Sequence, residues 1–377
     1  MHIRSKYFYI FFALSLFNHF LFSQEEQFHG QASAWISGDA QREQIGIRYL
    51  PELSFILPFT DEVNGNVTVA ANSSTSAELF NHHSPLTAGR ITPYRIWGRL
   101  ATEQFEARIG LQKINFGSAL LFRPLMWFDA VDARDPLQLT NGVYALLLRY
   151  YFQENTNIWL WGLFGNNERK GIDISPTAND RPEFGGRIQT PLWSGEIAAT
   201  VHHRMVDLTP ILQSNGSVKE DRYALDGKWD AGVGLWFESV LVRRDIATAS
   251  LRYQRLLMAG TDYTFGIGNG LNVVGEFFRT DSPVSIFGTA AGTDLSAFSL
   301  NYPLSLMDKL TGFFYRDWTH KEWYRIISFQ RTYDNWMMVF LGYWNPSTAL
   351  IVQSASSQSG NFSYSGKGIQ VMVIFNH

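Results

Sequence analysis

The sequence predicts an all-β fold: a transmembrane antiparallel β-barrel of about eighteen strands, with sixteen as the fallback, and one external loop folded inward. Three observations carry this. Segments of about ten residues with alternating polarity recur from one end of the chain to the other. After residue 23 no stretch of about 18 apolar residues occurs, so helices do not span a bilayer. The longest uncharged run, residues 335–366, contains only the apolar piece Trp336 to Trp344, which has the length of a tilted membrane strand of about 9–11 residues. Lipid offers no hydrogen-bond partners to the backbone, so strands cross it only in a sheet closed on itself.

From the start of the chain, Arg4 and Lys6 precede an apolar run from Tyr7 to Phe22 that breaks at Ser23-Gln24-Glu25-Glu26. This reads as a secretory signal over residues 1–23, cut after Ser23, with residues 24–377 forming the barrel. Removing Arg4 and Lys6 takes the formal net charge from −3 to −5, too mild to imply a nucleic-acid partner. The absence of cysteine excludes a disulfide framework, a thiolate metal site and a lipid-anchored cysteine start. Charged residues make up 17% and aromatics 15% of the chain, where soluble domains carry about 25% charged residues.

The predicted strands fall at residues 27–38, 43–57, 63–72, 89–101, 104–114, 142–152, 156–165, 182–191 and 195–207. They continue at 219–229, 232–243, 248–265, 270–280, 292–304, 308–319, 322–333, 336–346 and 364–377. In the last strand Ile369, Val371, Val373 and Phe375 share one face, against Gly368, Gln370 and Asn376 on the other. Bacterial barrels alternate short periplasmic turns with longer external loops. The short connections at 58–62, 102–103, 153–155, 192–194, 267–269, 305–307 and 334–335 all fall on one side if the last strand descends. The long ones, 73–87, 115–141, 166–181, 281–291 and 346–363, then fall on the other, together with two short ones, Arg244 to Ala247 and His320-Lys321. The alternation depends on a turn near Asp230-Ala231, without which Arg222 to Glu238 would be one long strand.

Energetics sets the facings, because an Arg on the lipid face at the bilayer midplane costs about 2–4 kcal/mol. In the second strand Ile45, Ile47, Tyr49, Leu53 and Phe55 face out, which turns Arg48, Glu52 and Ser54 inward. The fourth puts Ile96, Gly98 and Leu100 outside and Arg95 and Arg99 inside. The fifth puts Phe105, Ala107, Ile109 and Leu111 outside and Glu106, Arg108 and Gln112 inside. Arg149 faces in on the sixth, and Glu183, Arg187 and Gln189 share the inner face of the eighth. The resulting expectation is a polar, wet lumen lined by Arg48, Glu52, Arg95, Arg99, Glu106, Arg108, Arg149 and Arg187. Trp159, Trp161, Trp193, Trp323, Trp336, Trp344, Tyr150 and Tyr324 lie near strand ends, where amphipathic rings form interfacial belts.

The connection 115–141 is too apolar for a solvated loop, with Leu120, Leu121, Phe122, Leu125, Met126, Trp127 and Phe128 ahead of Asp129, Asp132, Arg134 and Asp135. Folded inward it would form a constriction, its Asp129, Asp132 and Asp135 facing Arg48, Arg95, Arg99, Arg108 and Arg149 on the wall. Opposed charges in a narrow passage select solutes by sign.

Arg108-Ile109-Gly110-Leu111-Gln112 with Asn115-Phe116-Gly117, followed by a long loop containing Asp132 to Pro136, resembles the strand-then-loop pattern of alginate-export type outer-membrane porins. Leu225-Asp226-Gly227-Lys228-Trp229-Asp230 and the strand Gly232 to Glu238 add to the likeness. The resemblance implies an eighteen-stranded barrel that conducts solutes through a positive passage suited to acidic sugars.

Enzyme signatures are poor, since nothing resembles a Gly-x-Ser-x-Gly elbow. His202-His203 cannot serve one metal, because adjacent strand residues point to opposite faces. Gly266-Ile267-Gly268-Asn269-Gly270 lacks the helix of a dinucleotide loop and reads as a tight turn. No cofactor is implied. The sequence thus points to a passive outer-membrane channel whose partners are outer-membrane lipid and small hydrophilic solutes, with anions and saccharides as classes to consider. The alternatives are a barrel plugged by the 115–141 loop, acting as a structural or assembly subunit, and a transporter of hydrophobic compounds.

Overall fold

A computed structural model describes residues 25–39, 42–80, 86–212, 216–347 and 364–377. The expected signal segment and most of the expected 346–363 loop lie outside them. The strands are β1 (Glu25–Asp39), β2 (Arg42–Pro58), β3 (Asn64–Phe80), β4 (Leu86–Ala101), β5 (Phe105–Gln112), β6 (Val143–Tyr151), β7 (Asn157–Leu163), β8 (Glu183–Leu192) and β9 (Gly195–Asp207). Next come β10 (Ser217–Asp230), β11 (Gly234–Arg244), β12 (Tyr253–Phe265), β13 (Leu271–Asp281), β14 (Gly292–Pro303), β15 (Asp308–Asp317), β16 (Glu322–Thr332), β17 (Trp336–Trp344) and β18 (Lys367–Asn376). Two four-residue helical turns, α1 (Thr209–Leu212) and α2 (Ala249–Arg252), interrupt them.

Every strand pairs antiparallel with its successor, and β1 pairs with β18, so the eighteen strands close into a barrel without an open edge strand. Beyond the last paired residues, Gly30 and His377 exchange two backbone hydrogen bonds of 3.0 Å. The His377 ring packs near Phe28, Tyr49 and Phe375.

The alternation of connections follows the predicted parity. The links after β2, β4, β6, β8, β10, β12, β14 and β16 are all short turns at one end. The turn after Asp230, on which the parity depends, is formed by Ala231 to Val233, with Gly232 at φ 81° and the Ala231 amide donating to the Val233 carbonyl at 3.1 Å. One expected external loop, 73–87, is mostly strand instead, because β3 and β4 extend upward to Phe80 and from Leu86. Ser73 to Ser76 reads Ser-Ser-Thr-Ser, small and polar on both faces, so its polarity shows no period. The expected strand 248–265 starts later, at Tyr253, after α2.

The outer face is apolar, as predicted: Ile47, Ile109 and Leu160 are 57%, 64% and 54% exposed, while Arg48 is 5% exposed. Leu111 departs from this. It keeps the outward register of Ile96 and Tyr144 but is buried, covered beside the Gly142 backbone. The interfacial belt is also smaller than expected. Trp193, Trp323, Trp336, Trp344 and Tyr150 are exposed, whereas Trp161 and Tyr324 are buried inside the barrel and Trp159 lies under the Arg149 guanidinium at 3.8 Å.

The interior is not uniformly wet. Trp236, Val240 and Val242 of β11, Leu256 and Met258 of β12, Val274 and Phe278 of β13, and Leu295 and Ala297 of β14 belong to one buried cluster with the inward loop. These strands are largely apolar on both faces, and in their middles only Glu238 and Glu276 mark which side is the lumen.

Replacing the outward Ile109 by Arg is expected to lower stability by about 2–4 kcal/mol in lipid vesicles. Urea titration followed by tryptophan fluorescence measures it; an unchanged midpoint would contradict the assigned facing.

Candidate functional site

The chain between β5 and β6, residues 113–142, turns into the bore directly after Gln112. The Gln112 amide holds that turn, donating to the Arg108 and Ala145 carbonyls at 3.2 and 3.0 Å. Inside, Phe116 stacks on Trp161 at 5.6 Å, and Phe122 stacks on Phe278 at 5.5 Å with its edge contact to Tyr315 at 5.6 Å. Leu137 packs against the Trp35, Val339 and Met372 cluster on another sector of the wall. The loop therefore reaches across the lumen. Burying its large apolar side chains removes surface worth about 1.5–3 kcal/mol each from water.

A loop that leaves the sheet loses ladder partners for its amides, and buried amides must find others. Two wall carboxylates supply them. Glu276 on β13 accepts the Leu120, Leu121 and Phe122 amides at 2.7, 3.0 and 2.6 Å and the Trp236 indole at 3.0 Å. Glu238 on β11 accepts the Ala119 and Leu125 amides at 2.8 and 3.1 Å.

A second loop, residues 164–182, closes over the first. The Gly171 amide donates to the Asp129 carbonyl at 3.0 Å, and Gly171, at φ 48°, has no room for a Cβ against the Met126 carbonyl oxygen. Asp173 accepts from Arg204 at 2.9 Å and Arg222 at 2.6 Å. Glu220 on β10 gathers Arg204, Arg222 and Arg244 at 2.6, 2.8 and 2.6 Å.

The charges singled out from the sequence mostly do not oppose each other across a gap. Asp129 pairs with Arg123 at 3.3 and 3.1 Å, and Asp132 pairs with Arg134, both within the loop. The Arg134 guanidinium lies 5.7 Å from the Tyr315 ring and 5.6 Å from the Tyr364 ring. On the wall, Glu106 collects Arg99, Arg108 and Arg149 at 2.8, 3.2 and 3.4 Å, close to the short-turn end and away from the loop carboxylates. Arg187 forms a bidentate pair with Asp226 at 2.6 and 2.7 Å. Among the described residues one contact follows the expected pattern: Asp135 neighbours Arg48. Arg95 reaches the loop through a backbone group instead, donating to the Thr140 carbonyl at 3.0 Å with Glu52 of β2 nearby. The correction has a physical reason: a carboxylate in a partly desolvated loop is best neutralised by an arginine a few residues away, which needs no ordering of a distant wall.

Sequence reasoning missed Glu238, Glu276, Glu220, Asp173, Arg204, Arg222 and Arg244. For the first two a signal existed, since each is a lone carboxylate amid apolar residues, Leu235 to Val240 and Val274 to Phe278. Such a group needs donors, and these come from the loop. His202 and His203 do point to opposite faces, the first accepting from Trp161 at 3.2 Å and facing Glu183 at 3.1 Å, the second facing Asp221 at 2.6 Å. An indole only donates, so His202 Nδ1 accepts and Nε2 carries the proton toward Glu183.

Below the loop, toward the short-turn end, lies a cavity of about 740 Å³. Its walls include Asn272, Asn301, Thr311, Ser328 and Gln330, with Lys113, Lys228 and Lys309. These three lysines make no hydrogen bond or ion pair among the described residues.

No protein-family profile matches the sequence, and no curated protein matches it. Among solved structures the chain is similar to OccD3 (OpdP) of Pseudomonas aeruginosa, at a TM-score of 0.60 and 10% identity, covering 93% of this chain and 91% of that one. It is also similar to Wzi, an outer membrane protein involved in group 1 capsule assembly in Escherichia coli and described as a carbohydrate-binding β-barrel. That likeness has a TM-score of 0.51 and 10% identity, covering 92% of this chain and 84% of Wzi. At these identities the likeness establishes a shared barrel fold.

Glu276→Gln should weaken the anchor by about 1.5–3 kcal/mol. Hydrogen exchange at the Leu120 to Phe122 amides is then expected to quicken roughly 10- to 150-fold. Burial pushes the loop's Asp135 up to about 6 from its ordinary 3.8. A raised acid pKa favours the neutral folded form, so its contribution is full below pH 3.8 and fades as pH rises through 6. Protection of the Leu137 amide, which donates to Asp135 at 3.0 Å, should fall across that window after correction for intrinsic exchange, and Asp135→Asn should abolish the trend.

Proposed function

We propose that this chain is an outer-membrane barrel, exported by its signal segment, that passes small hydrophilic solutes with a preference for anions. The observation that carries the reading is the polar 740 Å³ cavity beneath the loop, where Lys228 and Lys309 make no ion pair among the described residues and Lys113, with Asp129 in reach, adds a third positive charge beside the lining carboxylates Asp135 and Glu196. Unpaired cations in a confined, partly desolvated space attract anions and repel cations. The amides and hydroxyls of the same cavity suit hydroxyl-rich solutes. Together they favour acidic saccharides, in line with the resemblance to alginate-export porins. The description of Wzi as carbohydrate-binding lends support to the saccharide class. No catalytic role is assigned to any residue.

A second reading has its own observation. The anchoring of residues 119–125 by Glu238 and Glu276, with Phe122, Trp127 and Phe128 buried against the wall, fits a plugged barrel that serves as a structural or assembly subunit. The same packing weighs against a carrier of hydrophobic compounds, because these rings fill the core instead of lining the cavity.

Planar-bilayer recording separates the readings. A channel gives wild-type conductance with anions favoured, and Lys228→Glu with Lys309→Glu reverses that preference. A plug gives a silent wild type and openings only in Glu238→Gln/Glu276→Gln. Conductance without any change of selectivity in the lysine variants would remove the assigned role of the cavity.

A further inference from the structure

The barrel wall has a seam between β4 and β5. Although β4 starts at Leu86, its pairing with β5 begins only at Ile96, and among the described residues no strand pairs with Leu86 to Arg95 on that side. Three local features produce it. Ala70 pairs with Arg95 but Ala71 with Pro93, so Tyr94 is an extra residue that bends β4. Pro93 has no amide to give to a ladder, as suits an edge. Opposite, Gly110 takes φ 118° at the last pairs, where a Cβ would overlap the Ile96 carbonyl, and β5 ends two residues later.

A pocket of about 260 Å³ fills the seam. Its β3–β4 wall carries Asn72, Ser74, Arg90 and Thr92, which share the inward register of Arg48. Its other wall carries Leu111 and Tyr144, which share the outward register of Ile96. The pocket thus joins the polar inner face of one hairpin to the lipid-facing outer face of the next. Arg90 has no hydrogen bond or ion pair among the described residues. Lys170 is buried, with Glu168 at 3.8 Å as its ion-pair partner and the charges of Asp129 and Asp173 in reach, and Arg95 adds positive charge nearby. The buried Asn72 side-chain oxygen has no partner either.

We infer that this seam binds one anionic phospholipid of the surrounding membrane. The phosphate headgroup sits between Arg90 and Lys170, and a headgroup hydroxyl donates to the Asn72 oxygen. The acyl chains run out over Tyr144 and the 78%-exposed Ile91. The lipid source follows from continuity with the outward face, which a free anion would leave unused.

Purified protein would be equilibrated with phosphatidylglycerol or phosphatidylcholine and delipidated stepwise under native mass spectrometry. One phosphatidylglycerol is expected to survive on the wild type, and Arg90→Gln/Lys170→Gln should lose it by roughly tenfold or more, since each basic residue beside an anionic lipid is worth about fivefold. Glu168→Gln, which removes the repelling carboxylate, should raise retention. Heat-modifiable mobility reports folding of each variant, and should the double variant fail to fold, Glu168→Gln decides alone. Equal retention of the two lipids by the wild type, or unchanged retention in the variants, overturns the inference. Inorganic phosphate that strips the lipid and binds equally well without it also overturns it, in favour of a free-anion site.

Discussion

The structure depends on one requirement: a backbone amide removed from water must donate to something. In the wall the requirement closes the sheet, from β1 through to β18 and back to β1. Inside the bore the same requirement recurs at the loop. There Glu238 and Glu276 do for residues 119–125 what a neighbouring strand does elsewhere. A carboxylate has several lone pairs in a compact space, so it can serve consecutive amides of an irregular segment, which a strand cannot. The apolar half of the lumen and the anchored loop are then two parts of one solution, because the greasy inner faces of β11 to β14 tolerate no water and the loop provides the cover.

Much of this was legible in the sequence. The strand count, the parity of turns and loops, and the inward facing of Arg48, Arg95, Arg99, Arg108, Arg149 and Arg187 follow from period-two alternation plus the cost of charge in lipid. The inward fold of the 115–141 segment follows from Phe122, Trp127 and Phe128 standing where a solvated loop would carry polar residues. What stayed hidden has a common cause. Alternation is informative only where the two faces differ, so β11 to β14, apolar on both sides apart from Glu238 and Glu276, concealed the dry half of the bore, and the Ser/Thr-rich top of β3 concealed its extra length.

Pairings between charges were less legible than their facings. Period-two reasoning says which side a side chain takes, not which neighbour it meets. Arg99, Arg108 and Arg149 meet on Glu106 because three adjacent strands bring them to one height. Asp129 and Asp132 instead take Arg123 and Arg134 from their own loop. Lys228 and Lys309 of the lower cavity are left over from this local matching, which is why they, more than the arginines, carry the functional reading.

The anchor at Glu276 also bears on how the chain can assemble. Leu120 and Glu276 lie 156 residues apart, and β11 and β13, which carry the anchoring carboxylates, both follow the loop in the chain. Contacts of such long range delay folding, because chain entropy is lost before they form. The Glu276 clasp therefore sets late, once β13 has been laid down, whereas the partners that the loop finds on β1, β2 and β4 are in place before it is made.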